Sequence, residues 1–249
     1  MNTYIFILCP PYSGSTVLWQ LLATSPLVSA LPCEGQVLEE VKDIMRHQPW
    51  NAATQMPWPT IKAVWERYWD LSKPLLLEKS PPHLIRAQEI AAHFNPAYFL
   101  IMVRNPYAHC EGLLRRKKGT ATEAAEFTVR CLRLQAENAT RLKHTLCFSY
   151  EQLTDQTQHI AEQITAFIPQ LGPLQHTRQV KVHSMDGDVE RGIINLNAPK
   201  LSQLSAAEFD EINQVLTRHA DVMAYWGYQF LDVGEMPSSV RSDSYSQLA

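Results

Sequence analysis

The apolar run Tyr4-Ile5-Phe6-Ile7-Leu8 passes through Cys9-Pro10-Pro11-Tyr12 into Ser13-Gly14-Ser15-Thr16, and Val17, Leu18, Leu21 and Leu22 then recur at helical spacing. A strand that is apolar throughout must be buried on both faces. That places it inside a parallel sheet covered by helices. The tight loop that follows feeds a helix whose first backbone N–H groups have no intrahelical partner. Those groups and the positive end of the helix dipole make a seat for phosphate or sulfate. Gly14 lets the backbone approach such an anion closely, and Ser13, Ser15 and Thr16 add hydroxyl donors. Pro26 predicts that the helix stops near Ser25. The loop has no lysine in the Walker position, which disfavours an ordinary ATP-hydrolysing site. The dinucleotide pattern G-x-G-x-x-G is absent too. Taken alone, the segment is also consistent with a Ser/Gly turn that merely caps a helix.

The rest of the chain fits this start. At 249 residues and 45% hydrophobic, it is long enough for one sizeable α/β domain with a real core, expected over 1–233. A net charge of −3 offers no general attraction to nucleic acid or to an anionic membrane. No apolar stretch approaches the ~20 residues that span a bilayer. The first apolar run lacks a basic region before it, which argues against a secretory signal. Five cysteines without a C-x-x-C pair suggest reduced thiols in a cytoplasmic setting and no metal site. The Ser- and Asp-rich tail, 234–249, reads as disordered.

Further strands are expected at Leu75–Leu77, Tyr98–Val103 and Leu146–Ser149. Between them lie helices over about 83–94, with Leu84, Ile85, Ile90, Ala91 and Phe94 facing inward, over 120–142, opened by a capping box of Thr120 with Glu123, and over 156–167, and a last helix starts at Ser205. That last helix is expected to bury Phe209, Ile212, Val215, Leu216, Val222, Met223 and Trp226. Strand–helix alternation implies a mostly parallel sheet. Ligands of such sheets bind beyond the carboxyl ends of the strands. Four polar clusters sit at strand ends: Tyr12–Thr16, Glu78–Ser80, Arg104–Tyr107 and Tyr150–Glu151. Trp50, Trp58, Trp65 and Trp69 form a dense aromatic stretch, readable either as a wall for a substrate or as core filling.

With these elements placed, the chain resembles the sulfotransferase family, whose members use 3′-phosphoadenosine-5′-phosphosulfate (PAPS). Pro11-Tyr12-Ser13-Gly14-Ser15-Thr16 is similar to the family's 5′-phosphosulfate loop. Val103-Arg104-Asn105-Pro106, running on to Gly112 and Arg115-Arg116, is similar to its 3′-phosphate element. Tyr150-Glu151-Gln152-Leu153 matches a third motif, a turn that follows a later strand in the family. These cover about the first 155 residues, and the flavour is that of the bacterial and Golgi-type branches, including the protein-tyrosine sulfotransferases. The resemblance implies a P-loop-like three-layer α/β/α fold with a mostly parallel central sheet. It also implies transfer of a sulfuryl group to a hydroxyl or amine, with PAPS as co-substrate and no metal. The acceptor, whether small molecule, glycan or peptide, is left open. Two positions depart from the pattern. Tyr12 stands where the family has Lys or Arg, and Gly112 stands where it has Ser.

The resemblance also assigns residues. Tyr12, Ser13, Gly14, Ser15 and Thr16 hold the phosphosulfate. Arg104, Gly112 and Arg116 form the 3′-phosphate element, Arg116 lying about three helical turns past Arg104, with Arg115 as a substitute for it and a solvated basic face shared with Lys117 and Lys118 as the alternative. An Arg at the end of a buried strand is costly unless paired, and it suits bidentate phosphate binding or a structural ion pair. Lys79 corresponds to the family's lysine on the bridging oxygen; otherwise it is a surface lysine or pairs with Glu78. Glu34 resembles the catalytic base of the protein-tyrosine branch, and a loop carboxylate capping a turn is the alternative. His83 is read as a helix-start histidine with no catalytic part. Tyr150 lies near the adenine or anchors the core. Arg191 and Lys200, with Ser184 as a polar partner, come from a loop-like stretch expected to fold over the nucleotide. The competing readings are a P-loop-type kinase for a small metabolite, and a nucleotide-binding relative without activity.

Overall fold

The computed structural model describes residues 2–184 and 187–232, so the tail 234–249 lies outside the described residues. The described residues divide into two compact units, those up to Val103 with Leu134–Ile194, and Arg104–Arg133 with those from Asn195 onward.

The first unit carries a five-stranded sheet built from β1 (Thr3–Leu8), β2 (Val28–Ala30), β3 (Leu75–Glu78), β4 (Ala97–Val103) and β5 (Thr145–Ser149). The order is β2-β3-β1-β4-β5 and every pairing is parallel. The apolar β1 therefore sits at the centre, as its unbroken hydrophobicity requires. Its alternation divides the core. Ile5 and Ile7 pack with Leu77, Leu100 and Met102 against α1 (Ser15–Leu22) and α8 (Thr157–Phe167). On the opposite face Phe6 stacks on Phe99 at 5.9 Å and meets Phe94 edge-on at 5.2 Å. That face is covered by α3 (Trp58–Tyr68), which comes after the one-turn α2 (Lys42–Met45) in the chain, and by α4 (His83–His93). Trp65 and Trp69 pack there at 5.8 Å from each other, and both are buried. For these two, core filling is the reading that holds.

Several elements differ from the sequence reading. The first helix ends at Leu22, three residues earlier than expected. The inward face of α4 carries Arg86 and Ala87 in place of Ile85 and Ala91. Tyr150-Glu151-Gln152-Leu153 opens a short helix, α7 (Tyr150–Asp155), where a turn was expected. Ser149 caps it in a reciprocal capping box with Gln152. The stretch 184–200, read as a loop, contains β7 (Gly187–Arg191), which pairs as a hairpin with β6 (Val180–Ser184).

In the second unit, α5 (Pro106–Leu114) starts from an Asn105 cap that accepts from the Ala108 N–H at 3.1 Å. The long α6 (Ala121–Arg141), in which the division between units falls, begins at the expected Thr120–Glu123 box. The short α9 (Asn197–Leu201) precedes α10 (Ala206–Arg218) and α11 (Ala220–Tyr225). These last two replace the single final helix expected, and Trp226, expected inside, is only half-buried. Tyr107 stacks on Phe209 with centroids 4.9 Å apart. Among the described residues, no helix is long and apolar enough to cross a membrane.

Candidate functional site

The loop between β1 and α1 turns on two left-handed residues, Tyr12 at φ 62° and Gly14 at φ 90°. Gly14 caps α1 without a side chain. A Cβ added there would stand 2.5 Å from a ring carbon of Tyr150, so the close approach requires glycine. Ser13 is wholly buried, and its hydroxyl has no hydrogen-bond partner among the described residues. An orphaned hydroxyl at the mouth of a helix N-terminus is what an anion seat leaves when the anion is not counted. Cys9 lies beneath the loop. Burial pushes its thiol up to about 12 despite a hydrogen bond with Ser15, so it packs as a neutral group.

Lys79 follows β3 and is neither a surface lysine nor the partner of Glu78. Its Nζ lies 2.8 Å from Glu34 Oε1 and 3.4 Å from Thr16 Oγ1. The other carboxylate oxygen of Glu34 accepts from Gln36 Nε2 at 2.6 Å. The two residues assigned to catalysis and one loop hydroxyl thus meet at a single point.

The turn that carries Glu34 is fixed from below. Glu78, fully buried, accepts from the Gly35 N–H and the Ser80 hydroxyl, both at 2.7 Å, and pairs with His83. Burial alone would raise its carboxyl. The His83 ring, the Ser80 hydroxyl and the Gly35 N–H outweigh that and hold it below the usual carboxylate range. Trp65 closes the other side: its indole donates to the Gly35 carbonyl at 3.2 Å, and a Cβ at Gly35 would meet the ring at 2.6 Å. His83 is therefore the buried first residue of α4, engaged with Glu78. Gly35 and the neighbour Gln36 were not singled out from sequence; Glu78 was expected in a strand-end polar cluster and Trp65 as a substrate wall or core residue, but neither as a support of this turn. Only a carboxylate at the end of an apolar strand signals that it needs a buried partner.

Tyr150 is buried against Gly14, and its hydroxyl donates to the Ile194 carbonyl at 3.1 Å. Its ring therefore ties the loop to the segment that follows β7. Arg191 ends β7, half-buried, with a buried Nη2 that has no hydrogen-bond partner among the described residues. Ser184 ends β6.

The second unit holds a separate cationic cluster. Arg104 is buried and donates from Nε to Asn197 Oδ1 at 2.9 Å. Lys200 Nζ, buried on α9, lies 3.0 Å from Glu111, which also accepts from Arg115 Nε at 2.8 Å. Burial, with Arg104 nearby, pushes the Lys200 ammonium down to about 8, although Glu111 pulls the other way. Gly112 is buried within α5. Arg116 was expected to continue a helix, but it lies past the end of α5 and is exposed. Arg115, its neighbour, joins the cluster instead. Among the described residues, no group of three or more His, Cys, Asp or Glu could hold a metal.

A family model described as "Sulfotransferase family" matches residues 4–169. Solved structures share the fold. The sulfotransferase domain of the Synechococcus PCC 7002 olefin synthase aligns with a TM-score of 0.55 at 20% identity, over 88% of this chain and 94% of that one. The sulfotransferase domain from the curacin biosynthetic pathway aligns at 0.55 and 17%, over 93% and 99%. A sulfotransferase from Alicyclobacillus acidocaldarius aligns at 0.56 and 14%, over 92% and 97%. Among curated proteins, none matches the chain significantly.

Proposed function

Because the chain belongs to the sulfotransferase family, whose model matches residues 4–169, we propose that it moves the sulfuryl group of PAPS to a hydroxyl or amine acceptor. The observation that carries this reading is the position of Lys79, whose ammonium lies between the Glu34 carboxylate and the Thr16 hydroxyl of the loop. The residues of the loop fit the donor's phosphosulfate. The Ser13 hydroxyl lacks a partner, and Gly14 keeps the backbone bare. Bound PAPS would supply an activated sulfuryl group on a phosphate leaving group.

The chain's own residues then have defined work. Tyr12, Ser13, Gly14, Ser15 and Thr16 bind and orient the phosphosulfate with backbone N–H and hydroxyl donors. Lys79 keeps a positive charge where negative charge gathers on the departing oxygen, which is the main demand of such in-line transfers. It also supplies the cation that Tyr12 leaves out of the loop. Glu34 accepts the proton of the incoming hydroxyl, and Gln36, donating to one of its oxygens, fixes which way the carboxylate faces. Arg104, Gly112, Arg116 and Lys200 are assigned to the 3′-phosphate, with Arg115 the better-placed arginine for ion pairing. Tyr150 and Arg191 are assigned to the nucleotide.

Transfer from radiolabelled PAPS to a panel of alcohols tests the reading. Lys79→Ala is expected to lower the rate by at least about a hundredfold with binding of the product 3′,5′-phosphoadenosine (PAP) retained. Tyr12→Lys is expected to be tolerated. A Lys79→Ala enzyme of wild-type rate would refute the role given to Lys79.

A further inference from the structure

Helix α1 does two jobs in the first unit. Its N-terminus opens on the loop proposed to seat the phosphosulfate, and its flank carries the β6–β7 hairpin. Two bonds from one glutamine fix the hairpin there. Gln20 Oε1 accepts from the Lys181 N–H at 2.8 Å, and Gln20 Nε2 donates to the Lys181 carbonyl. An amide side chain has the donor and the acceptor of a peptide group, so it pairs with β6 as a neighbouring strand would. A two-stranded hairpin alone is marginal in water and needs such a partner. Gln20 comes one turn after Thr16, and residues so spaced have their Cβ atoms about 5–6 Å apart on a helix surface. The hairpin is therefore anchored a single turn from a hydroxyl of the proposed seat.

The register decides which side chains the hairpin turns inward. Val180 pairs directly opposite Arg191, and Lys181 opposite Glu190. Directly opposed residues share one face of an antiparallel pair. Val180 is buried in the core that α1 helps to form, so Arg191 leaves the strand on that same face. Lys181 and Glu190 make the outer face, exposed and 3.9 Å from each other. The buried Arg191 Nη2, which has no hydrogen-bond partner among the described residues, agrees with an inward guanidinium that has a donor to spare. Farther on, Ile193 packs on the same core, and the Ile194 carbonyl accepts from the Tyr150 hydroxyl, whose ring lies against Gly14. The segment 181–194 is thus tied to α1 at Gln20 and to the loop through Tyr150, with Arg191 between the two ties.

We infer that Gln20 is a positioning residue for the nucleotide donor: by fixing β6 on α1 it holds Arg191 in its inward place, and so retains the donor. The inference rests on the sulfotransferase reading for the ligand of Arg191, and on the hydrogen bonds alone for the hold on the hairpin. Gln20→Met keeps a long side chain and a good helix former while removing the amide. Exchange of the Lys181 amide proton is expected to be at least about tenfold faster in that variant, since the N–H loses its acceptor. The PAP dissociation constant is expected to rise about tenfold, as two net hydrogen bonds that hold the hairpin are lost. KM for PAPS should rise with it, and kcat should stay within about twofold, because Gln20 acts on binding and not on the transfer step. In an Arg191→Met background, adding Gln20→Met should change PAP affinity by less than about twofold, since the effect passes through Arg191. A wild-type chain that binds no PAP overturns the sulfotransferase reading, and the role of Gln20 at the donor falls with it. A wild-type chain that binds PAP, with Gln20→Met binding it equally well, overturns the role of Gln20 alone. A loss that persists in the Arg191→Met background does the same, because Gln20 would then be a prop of the fold. Unchanged exchange at Lys181 would show that the amide does not hold the hairpin, and would also overturn the inference.

Discussion

Gly14 sits at φ 90°, and a methyl group there would run into the Tyr150 ring at 2.5 Å. Gly14→Ala therefore carries both a left-handed backbone penalty, about 1–2 kcal/mol for a residue with a Cβ, and a steric clash. It is expected to lower unfolding stability by about 2 kcal/mol or more in urea melts, with a coupling to Tyr150→Leu of about 0.5–3 kcal/mol in a double-mutant cycle. Independent effects would show that the ring yields freely. Lys200 makes a prediction of the opposite kind, through charge. Its ammonium is pushed down to about 8, so it loses its proton as pH rises through that value, and a phosphate dianion binds the protonated form better. PAP affinity measured by calorimetry is expected to fall as pH rises from 7 to 9. In Lys200→Met the affinity is expected to be weaker throughout and flatter over the same range. An equally steep profile in that variant would remove Lys200 from phosphate binding.

Among elements, the turn at 34–37 shows how a candidate base is held. It is a single 3₁₀ turn, Gly35–Val37, anchored by the buried Glu78 on β3 and by Trp65 on α3. Breaking a buried charged pair by removing one partner costs about 3–5 kcal/mol. Glu78→Gln is expected to approach that loss and to slow transfer by releasing the turn under Glu34. The pH sign follows from the depressed carboxyl. The stabilisation is present above the ordinary value of 4.5 and is lost as pH falls through the lower folded value, so the acid limb of the stability curve should flatten in Glu78→Gln. These supports were not legible in the sequence, because they join residues 30 to 43 positions apart. The strands were legible where apolar runs were unbroken, as in Ile5–Leu8 and Phe99–Val103. They were missed where the strand was three residues, Val28–Ala30, or where polar residues alternate, as in the hairpin Val180–Arg191.

For the whole molecule, nucleotide binding is the property that separates the readings of function. A ligand bound only to the native state adds RT ln(1 + [L]/Kd), about 2.7 kcal/mol at a hundredfold excess over Kd. For a chain of 249 residues, each kcal/mol shifts the melting temperature by about 2–4 °C, so PAP at that excess should raise it by roughly 5–11 °C. ATP with Mg²⁺ should do little, since the loop has no Walker lysine. Arg104→Ala tests whether the shift draws on the 3′-phosphate assignment. Arg104 is buried and bonded to Asn197, so the substitution will lower the melting temperature of the free protein by itself. The informative quantity is the increment produced by PAP, which should shrink by more than half, while the increment from adenosine 5′-phosphosulfate, which has no 3′-phosphate, should stay as it was. An equal loss of both increments would mean that the substitution acts through folding and not through the phosphate. A full PAP increment in the variant would release Arg104 from the nucleotide and leave its role to the bond with Asn197.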